Sequence, residues 1–326
     1  MMRIIVTGSL GNISKPLALK LIHQGHQVTI ISSNKNKKEE ILKMGGIPAI
    51  GRIQDVDFLI KTFEDQDAVY CMLPPFDYFG DKNLSYKKEA LTIASNYSKA
   101  IMQTGIEKVV HLSSVGAEKS KGTGLLVFHN IVEKVLKKLP STISITHIRP
   151  VSFDYNLYSF MDMIKGKGFL DGFIGKMFYL RHYGIRGLLK GYSGIILSNY
   201  GSNDVLPTVS PIDIASAIAE ELNAENTGRK VRYVASDELS CQEIAYILGN
   251  EIEKPYLKWV LISDKQMTNA MKQFGASESI AKEFTEMNKT MHDGSLFEDY
   301  YKNRPAKMGS VKMKDFAKDF AKKYRE

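Results

Sequence analysis

The chain has 326 residues, 44% of them hydrophobic and 25% charged, a balance that fits a folded globular protein and excludes collagen-like, coiled-coil and disordered classes. Its formal charge of +8 is spread over solvated helix faces such as KVLKK and KDFAKKYRE, which lack the interleaved aromatics of a single-strand binder, so no nucleic acid is expected as a partner. Two cysteines in unlike contexts, Cys71 and Cys241, give neither a disulfide framework nor a metal-ligand spacing, so no metal is expected and redox chemistry must come from a cofactor.

The N-terminus MMRIIVTG runs straight into a strand pattern, and no stretch approaches the ~20 apolar residues of a membrane span, so the expectation is a cytoplasmic protein without membrane contact. Short runs rich in Val and Ile then alternate with helix-period segments, which predicts repeated βα units and a parallel sheet. The predicted strands are 3–8, 27–32, 47–50, 67–73, 108–114 and 143–149. Between them KPLALKLIHQG and LTIASNYSKAIMQTG have apolar residues at helical spacing and stop at Gly25 and Gly105. After Arg149-Pro150, residues 165–194 are dense in Gly, Tyr and Phe with little periodicity, which predicts a loop-rich cap. Order returns with VLPTVS, a helix PIDIASAIAEEL, a strand KVRYVA and a helix CQEIAYILGNEI. Ser263 with Gln266 predicts a capping box, and VKMKDFAKDFAKKY an amphipathic C-terminal helix. The expected division is a nucleotide-binding domain at 1–150 and a smaller cap or substrate region at 151–326, which rejoins the sheet at about 205–235.

VTGSLGNIS follows the first strand and opens the first helix. Gly8 and Gly11 allow backbone N–H groups to approach a pyrophosphate, and the helix N-terminus adds its positive dipole end. The spacing is G-x-x-G-x-x-S, with Ser14 small enough for close helix–strand packing. The second strand ends IISSNKNKK, with no acid to accept from adenosine ribose hydroxyls, so NADP(H) is preferred while NAD(H) remains possible. The bland alternative is that these lysines only solvate the start of the next helix.

Taken with LPP (73–75), VVHLSSVGAE (109–118), HNIVEKVLK (129–137) and IRPVSFDYN (148–156), these residues resemble the NmrA-like branch of the atypical short-chain dehydrogenases/reductases, across nearly the whole chain. The resemblance implies a doubly wound parallel Rossmann sheet with a smaller α+β C-terminal region. It implies that Thr7, Gly8, Ser9, Leu10, Gly11, Asn12 and Ile13 wrap the pyrophosphate and that Ser33, Asn34 and Lys35 face a 2′-phosphate. Leu73, Pro74 and Pro75 would lie along the cofactor, and Pro150 and Phe153 would border the nicotinamide pocket. Ser33 stands where many relatives have a clamping arginine, and Arg52 where many have an aspartate near the adenine.

Redox members of that superfamily carry Y-x-x-x-K with a glutamate four residues beyond the lysine. If Glu133 is that glutamate, His129 stands at the lysine position and Leu125 at the tyrosine position, so the usual proton donor is missing. His129 is a candidate catalytic or ribose-binding residue, or else a structural histidine. Ser113 and Ser114, at the end of the fifth strand, are candidates for contact with substrate or nicotinamide, or else turn-capping serines. Tyr155, Tyr158, Tyr179 and Tyr183 either supply a replacement phenol or pack an aromatic wall. The leading expectation is an NADP(H)-dependent oxidoreductase passing hydride to a quinone-like or other conjugated small molecule. The alternative is a non-catalytic redox sensor acting through a protein partner.

Overall fold

In the computed structural model, residues 1–81, 85–167, 172–190, 192–225 and 228–326 are described. The first half runs β1 (Arg3–Val6), α1 (Ser14–His23), β2 (Gln27–Ser32), α2 (Lys38–Lys43), β3 (Ile47–Ile50), α3 (Val56–Phe63), β4 (Ala68–Cys71), α4 (Tyr86–Thr104), β5 (Lys108–Leu112), α5 (Val127–Leu136) and β6 (Ser144–Pro150). The second half runs β7 (Ser152–Phe153), α6 (Met161–Ile164), α7 (Gly172–Leu189), β8 (Ile195–Ser198), β9 (Val205–Val209), α8 (Pro211–Asn223), β10 (Arg229–Val234), β11 (Asp237–Ser240), α9 (Cys241–Glu251), β12 (Lys258–Leu261), α10 (Asp264–Gln273), α11 (Glu278–His292), α12 (Glu298–Lys302) and α13 (Met313–Arg325).

Seven strands form one parallel sheet in the order β10-β6-β5-β4-β1-β2-β3, the doubly wound Rossmann arrangement with one added edge strand. Both faces are covered, which is why the strands read as unbroken apolar runs. Ile4, Val6, Tyr70, Val110 and Ile148 pack with α1 and α8 on one face. Ile5, Val69, Cys71, Val109 and Ile145 alternate to the other face against α3, α4 and α5. A fully buried core residue such as Leu17 contributes about 1.5–3 kcal/mol by leaving water. Tyr233↔Arg149 and Val234↔Pro150 are in register, so β10 reaches the same edge level as the end of β6. Two small sheets, β11-β9-β7 and β12-β8, sit outside the main one.

Each of the six sequence-read strands is present, with the first, fourth and fifth shorter than expected. β1 stops at Val6 because Gly8 turns to φ +85°, and β5 stops at Leu112. The capping box at Ser263 and Gln266 is formed, and a second one joins Ser240 to Glu243.

The expected loop-rich cap is corrected. Residues 168–171 and 191 lie outside the described residues, but α7 fills most of the segment and is broken only at Gly184, with φ +66° and ψ 173°. Four glycines along this helix obscured its period, as did apolar residues on both of its faces. Tyr179 and Tyr183 turn inward onto Ile195 and Leu197, and the Tyr183 hydroxyl donates to the carbonyls of Gly194 and Tyr256 at 2.6 and 2.8 Å. Tyr158 stacks on Phe320 of α13, with ring centroids 5.7 Å apart. These three tyrosines serve packing.

Candidate functional site

The turn between β1 and α1 is built around a glycine whose backbone conformation and close neighbours disfavour any side chain. A Cβ on Gly8 would overlap Met72 Sδ and Ser14 Oγ, and its positive φ would strain any L side chain. Ser9 is also left-handed at φ +55°, and its N–H donates to the Ile31 carbonyl at 3.0 Å. Ser9 Oγ donates to Ser32 Oγ at 2.8 Å, Thr7 Oγ1 accepts from the Met72 N–H at 2.9 Å, and Ser14 Oγ donates to the Thr7 carbonyl at 2.8 Å. The turn is thereby tied to the ends of both β2 and β4, which sequence reasoning did not foresee for Ser32 or Met72.

The first turn of α1 has no side-chain cap: Ile13 occupies the N-cap, and among the described residues no protein group accepts from the N–H groups of Leu10, Asn12 or Ile13. Uncapped N–H groups beside a left-handed glycine turn form an anion cradle. A dinucleotide pyrophosphate fits this donor set.

At the end of β2, Ser32 is buried while Ser33, Asn34 and Lys35 are exposed. Asn34 caps the short turn that follows by accepting from the Asn36 N–H at 2.9 Å. Glu40 is engaged by Lys15 at 2.8 Å and Lys37 at 2.9 Å, and these contacts hold its carboxyl down at about 2. Lys35 makes no ion pair among the described residues, so its charge is free for a ligand. Across the sheet, Leu73 is buried, Pro74 half-buried and Pro75 exposed at the mouth of β4, and the Tyr97 hydroxyl fixes the chain there through the Met72 carbonyl at 2.8 Å.

The two serines after β5 differ. Ser113 is buried, and its hydroxyl donates to Glu133 Oε1 at 2.5 Å. Ser114 is half-buried, and its hydroxyl has no partner among the described residues. Glu133 is gripped by Arg149 in a two-point contact, Nε to Oε1 at 2.9 Å and Nη2 to Oε2 at 2.7 Å. Burial alone would raise the Glu133 carboxyl, but Arg149, His147 and Ser113 outweigh it and leave the group below its ordinary value. Arg149 Nη1 also reaches Tyr233, Asp299 and Glu118 at 3.1, 3.2 and 3.3 Å. One buried guanidinium thus joins β6, α5, β10, α12 and the loop after β5.

Leu125 is buried under α11 among Tyr86, Ile280, Ala281 and Phe128. Its neighbour Gly124 lies so close to α11 that a Cβ would overlap the Glu283 carbonyl. The tyrosine position is therefore an apolar seat for a C-terminal helix. His129 lies one turn along α5, its ring 4.0 Å from that of Phe128, with Nδ1 buried and unpartnered. Burial pushes its pKa down to about 4 against the opposing pull of Glu133. Burial thus favours the neutral imidazole at pH 7.

Pro150 is buried and its carbonyl accepts from the Val115 N–H at 3.0 Å, holding the loop after β5 against the end of β6. Phe153 is half-buried, paired with Val209 and 5.1 Å from the Tyr155 ring. The next residue, Asp154, was not singled out from sequence. Its carboxyl is buried with Oδ1 unpartnered. Burial pushes its pKa up to about 7, the backbone N–H of Tyr155 opposes, and the charges of Asp213 and Asp319 add to the rise. The only available signal was an acid inside the apolar stretch PVSFDYN. No cluster of three metal-ligating side chains occurs among the described residues, and no helix there is long and apolar enough to cross a membrane.

Residues 8–155 match a family model described as NAD(P)H-binding. Over those residues the chain is similar to NAD(P)H-binding domains. This agrees with the NmrA-like resemblance read from the sequence. An uncharacterised protein of Schizosaccharomyces pombe is 24% identical to this chain over 275 residues, covering 78% of the chain and 82% of the yeast protein. Among solved structures, the NADPH complex of an NADPH-dependent quinone oxidoreductase from Escherichia coli matches with a TM-score of 0.73 and 16% identity, over 98% of this chain and 99% of that one. The NADP(H) complex of a triphenylmethane reductase from Citrobacter sp. matches at 0.69 and 20%, over 98% and 99%. A nucleoside-diphosphate-sugar epimerase from Staphylococcus aureus matches at 0.69 and 12%, over 98% and 100%. At these identities the likeness establishes a shared fold.

Proposed function

We propose that this NAD(P)H-binding protein holds NADP(H) and passes hydride to a quinone-like or other conjugated small molecule without a tyrosine–lysine pair. The observation that carries the reading is the uncapped, Cβ-intolerant turn at Gly8 beside an acid-free β2 end. The N–H groups of Leu10, Asn12 and Ile13 would bind the pyrophosphate, and Ser33, Asn34 and Lys35 the 2′-phosphate. The bound cofactor supplies the hydride.

The chain's own residues orient and exclude. Neutral His129 would hydrogen-bond a ribose hydroxyl, Ser114 would offer its free hydroxyl to the carboxamide or acceptor, and Pro150 and Phe153 would wall the pocket. Ser113 is already committed to Glu133, and Leu125 has no proton to give. An acceptor whose reduced oxyanion takes its proton from solvent suits such a site, and conjugated carbonyls meet that condition better than simple ketones. The quinone and triphenylmethane reductases among the structural neighbours support this choice of acceptor.

The lack of a side-chain acid also favours one rival: a sensor that binds NADP(H) and signals to a protein partner without turnover. Cofactor titration tests the phosphate assignment. Lys35→Ala is expected to weaken NADPH binding about tenfold and leave NADH binding unchanged, the loss of one charged phosphate contact. Equal weakening of both cofactors would refute the placement of the 2′-phosphate.

A further inference from the structure

Helix α7 presents a surface that the dinucleotide site does not explain. Its inward side is anchored by Tyr179 and Tyr183 on β8. Met177 and Leu180 before the break at Gly184, and Ile185, Leu188 and Leu189 after it, are exposed, with Ile185 69% and Leu189 83% accessible. Apolar side chains this open, spaced along one helix, are rare on a face that meets only water.

Charge along the same segment has one sign. Arg181, Arg186 and Lys190 are exposed between the apolar residues, and none of the three makes an ion pair among the described residues. From Gly172 to Lys190 the sequence contains no Asp or Glu. At the foot of the helix the Tyr192 N–H donates to the Gly187 carbonyl at 2.9 Å, and Tyr192 stacks on exposed Tyr256 at 3.4 Å between ring centroids. Large aliphatic residues, unpaired cations and a tyrosine pair at the margin are the composition of a helix lying in a bilayer interface.

We propose that α7 docks this protein onto an anionic lipid surface, with Ile185, Leu188 and Leu189 entering the acyl boundary and Arg181, Arg186 and Lys190 meeting lipid phosphates. This goes beyond the sequence expectation of no membrane contact; among the described residues no helix is long and apolar enough to span a membrane. The occupant is a lipid surface because the exposed charges from Arg181 to Lys190 are all positive and lie beside large exposed aliphatic side chains. An acid-bearing protein groove would have to match each cation singly, whereas an anionic headgroup layer offers charge everywhere. A second copy of the same face would set these cations against each other. The proposal rests on α7 and its surroundings, and it stands whatever the acceptor is.

Flotation of the full-length protein with vesicles tests it. Phosphatidylcholine vesicles containing about one-third phosphatidylserine are expected to carry the protein at about 0.05 M salt and to lose most of it at about 0.5 M. Pure phosphatidylcholine vesicles are expected to carry little. Ile185→Asp with Leu189→Asp is expected to lower partition at least tenfold, and Arg181→Glu with Arg186→Glu to abolish the preference for anionic vesicles. All four side chains are exposed, so unfolding midpoints should stay at the parent value. The two variant pairs read the apolar and charged parts separately, so one misfolded variant leaves the other informative. Absence of flotation, equal flotation with neutral vesicles, or partition unchanged by both pairs would overturn the proposal. So would a concentration-dependent dimer, seen without vesicles, that Ile185→Asp dissociates.

Discussion

Asp154 is the residue whose environment departs furthest from what its neighbours in sequence suggest. Its carboxyl moves from an ordinary 3.8 to about 7, first because it is buried and then because Asp213 and Asp319 face it. Between these values the native state holds a proton that the unfolded chain has released, so stability falls as pH rises through the window and the loss is complete above about pH 7. Asp154→Asn removes the titrating group. It is expected to match the parent near pH 4 and to exceed it at pH 8 by up to about 4 kcal/mol, read from urea unfolding at both values. Parallel pH profiles for the two proteins would show that the carboxyl is ionised in the folded state. His129 shows the opposite case, a histidine that burial holds neutral at pH 7. In both, the residue type was visible in the sequence, but the charge state depends on desolvation by segments that are distant in the chain.

At the scale of elements, the missing tyrosine is explained by what lies over it. Leu125 and Gly124 form the floor on which α11 rests, and Glu283 of that helix accepts from the Tyr86 hydroxyl at 2.5 Å. Restoring the family pair by Leu125→Tyr with His129→Lys is therefore expected to fail. It would overpack the seat by about 1–3 kcal/mol and bury a lysine beside Phe128, lowering the unfolding midpoint without creating alcohol dehydrogenase activity. A stable double variant that oxidises alcohols would show that the site lacks only those two groups. The strands were legible from sequence because a parallel sheet covered on both faces leaves continuous Val and Ile runs, as in RIIV and KVVHL. The phosphate turn was legible because its requirement is local, a glycine at positive φ between a strand and a helix. The seat of α11 was not, because Leu125 and Ile280 lie far apart in the sequence. Helix α7 was hidden by its glycines and its two apolar faces.

Across the whole molecule, Arg149 joins the nucleotide-binding half to the C-terminal half. Its guanidinium meets Glu133 of α5, Glu118, Tyr233 of β10 and Asp299 of α12, a polar tie between the halves added to the β6–β10 pairing and the shared apolar core. Removing one partner from such a network leaves buried charge uncompensated and typically costs about 3–5 kcal/mol. Sequence patterning gives each carboxylate and each cation but cannot show that they converge, which is why Glu133 was read as a family marker and Ser113 as a candidate for contact with substrate or nicotinamide. The network holds the end of β6, and with it Pro150 and Phe153, in place beside the loop that carries Ser114. The central claim is that this arrangement orients NADPH for transfer to a conjugated acceptor with no side-chain acid. Loss of absorbance at the nicotinamide band, followed with purified protein, NADPH and a panel of quinones, tests it most directly. The expected result is quinone-dependent oxidation that Gly8→Val abolishes and His129→Ala leaves within a few-fold of the parent; tight NADPH binding with no turnover on any acceptor would contradict it.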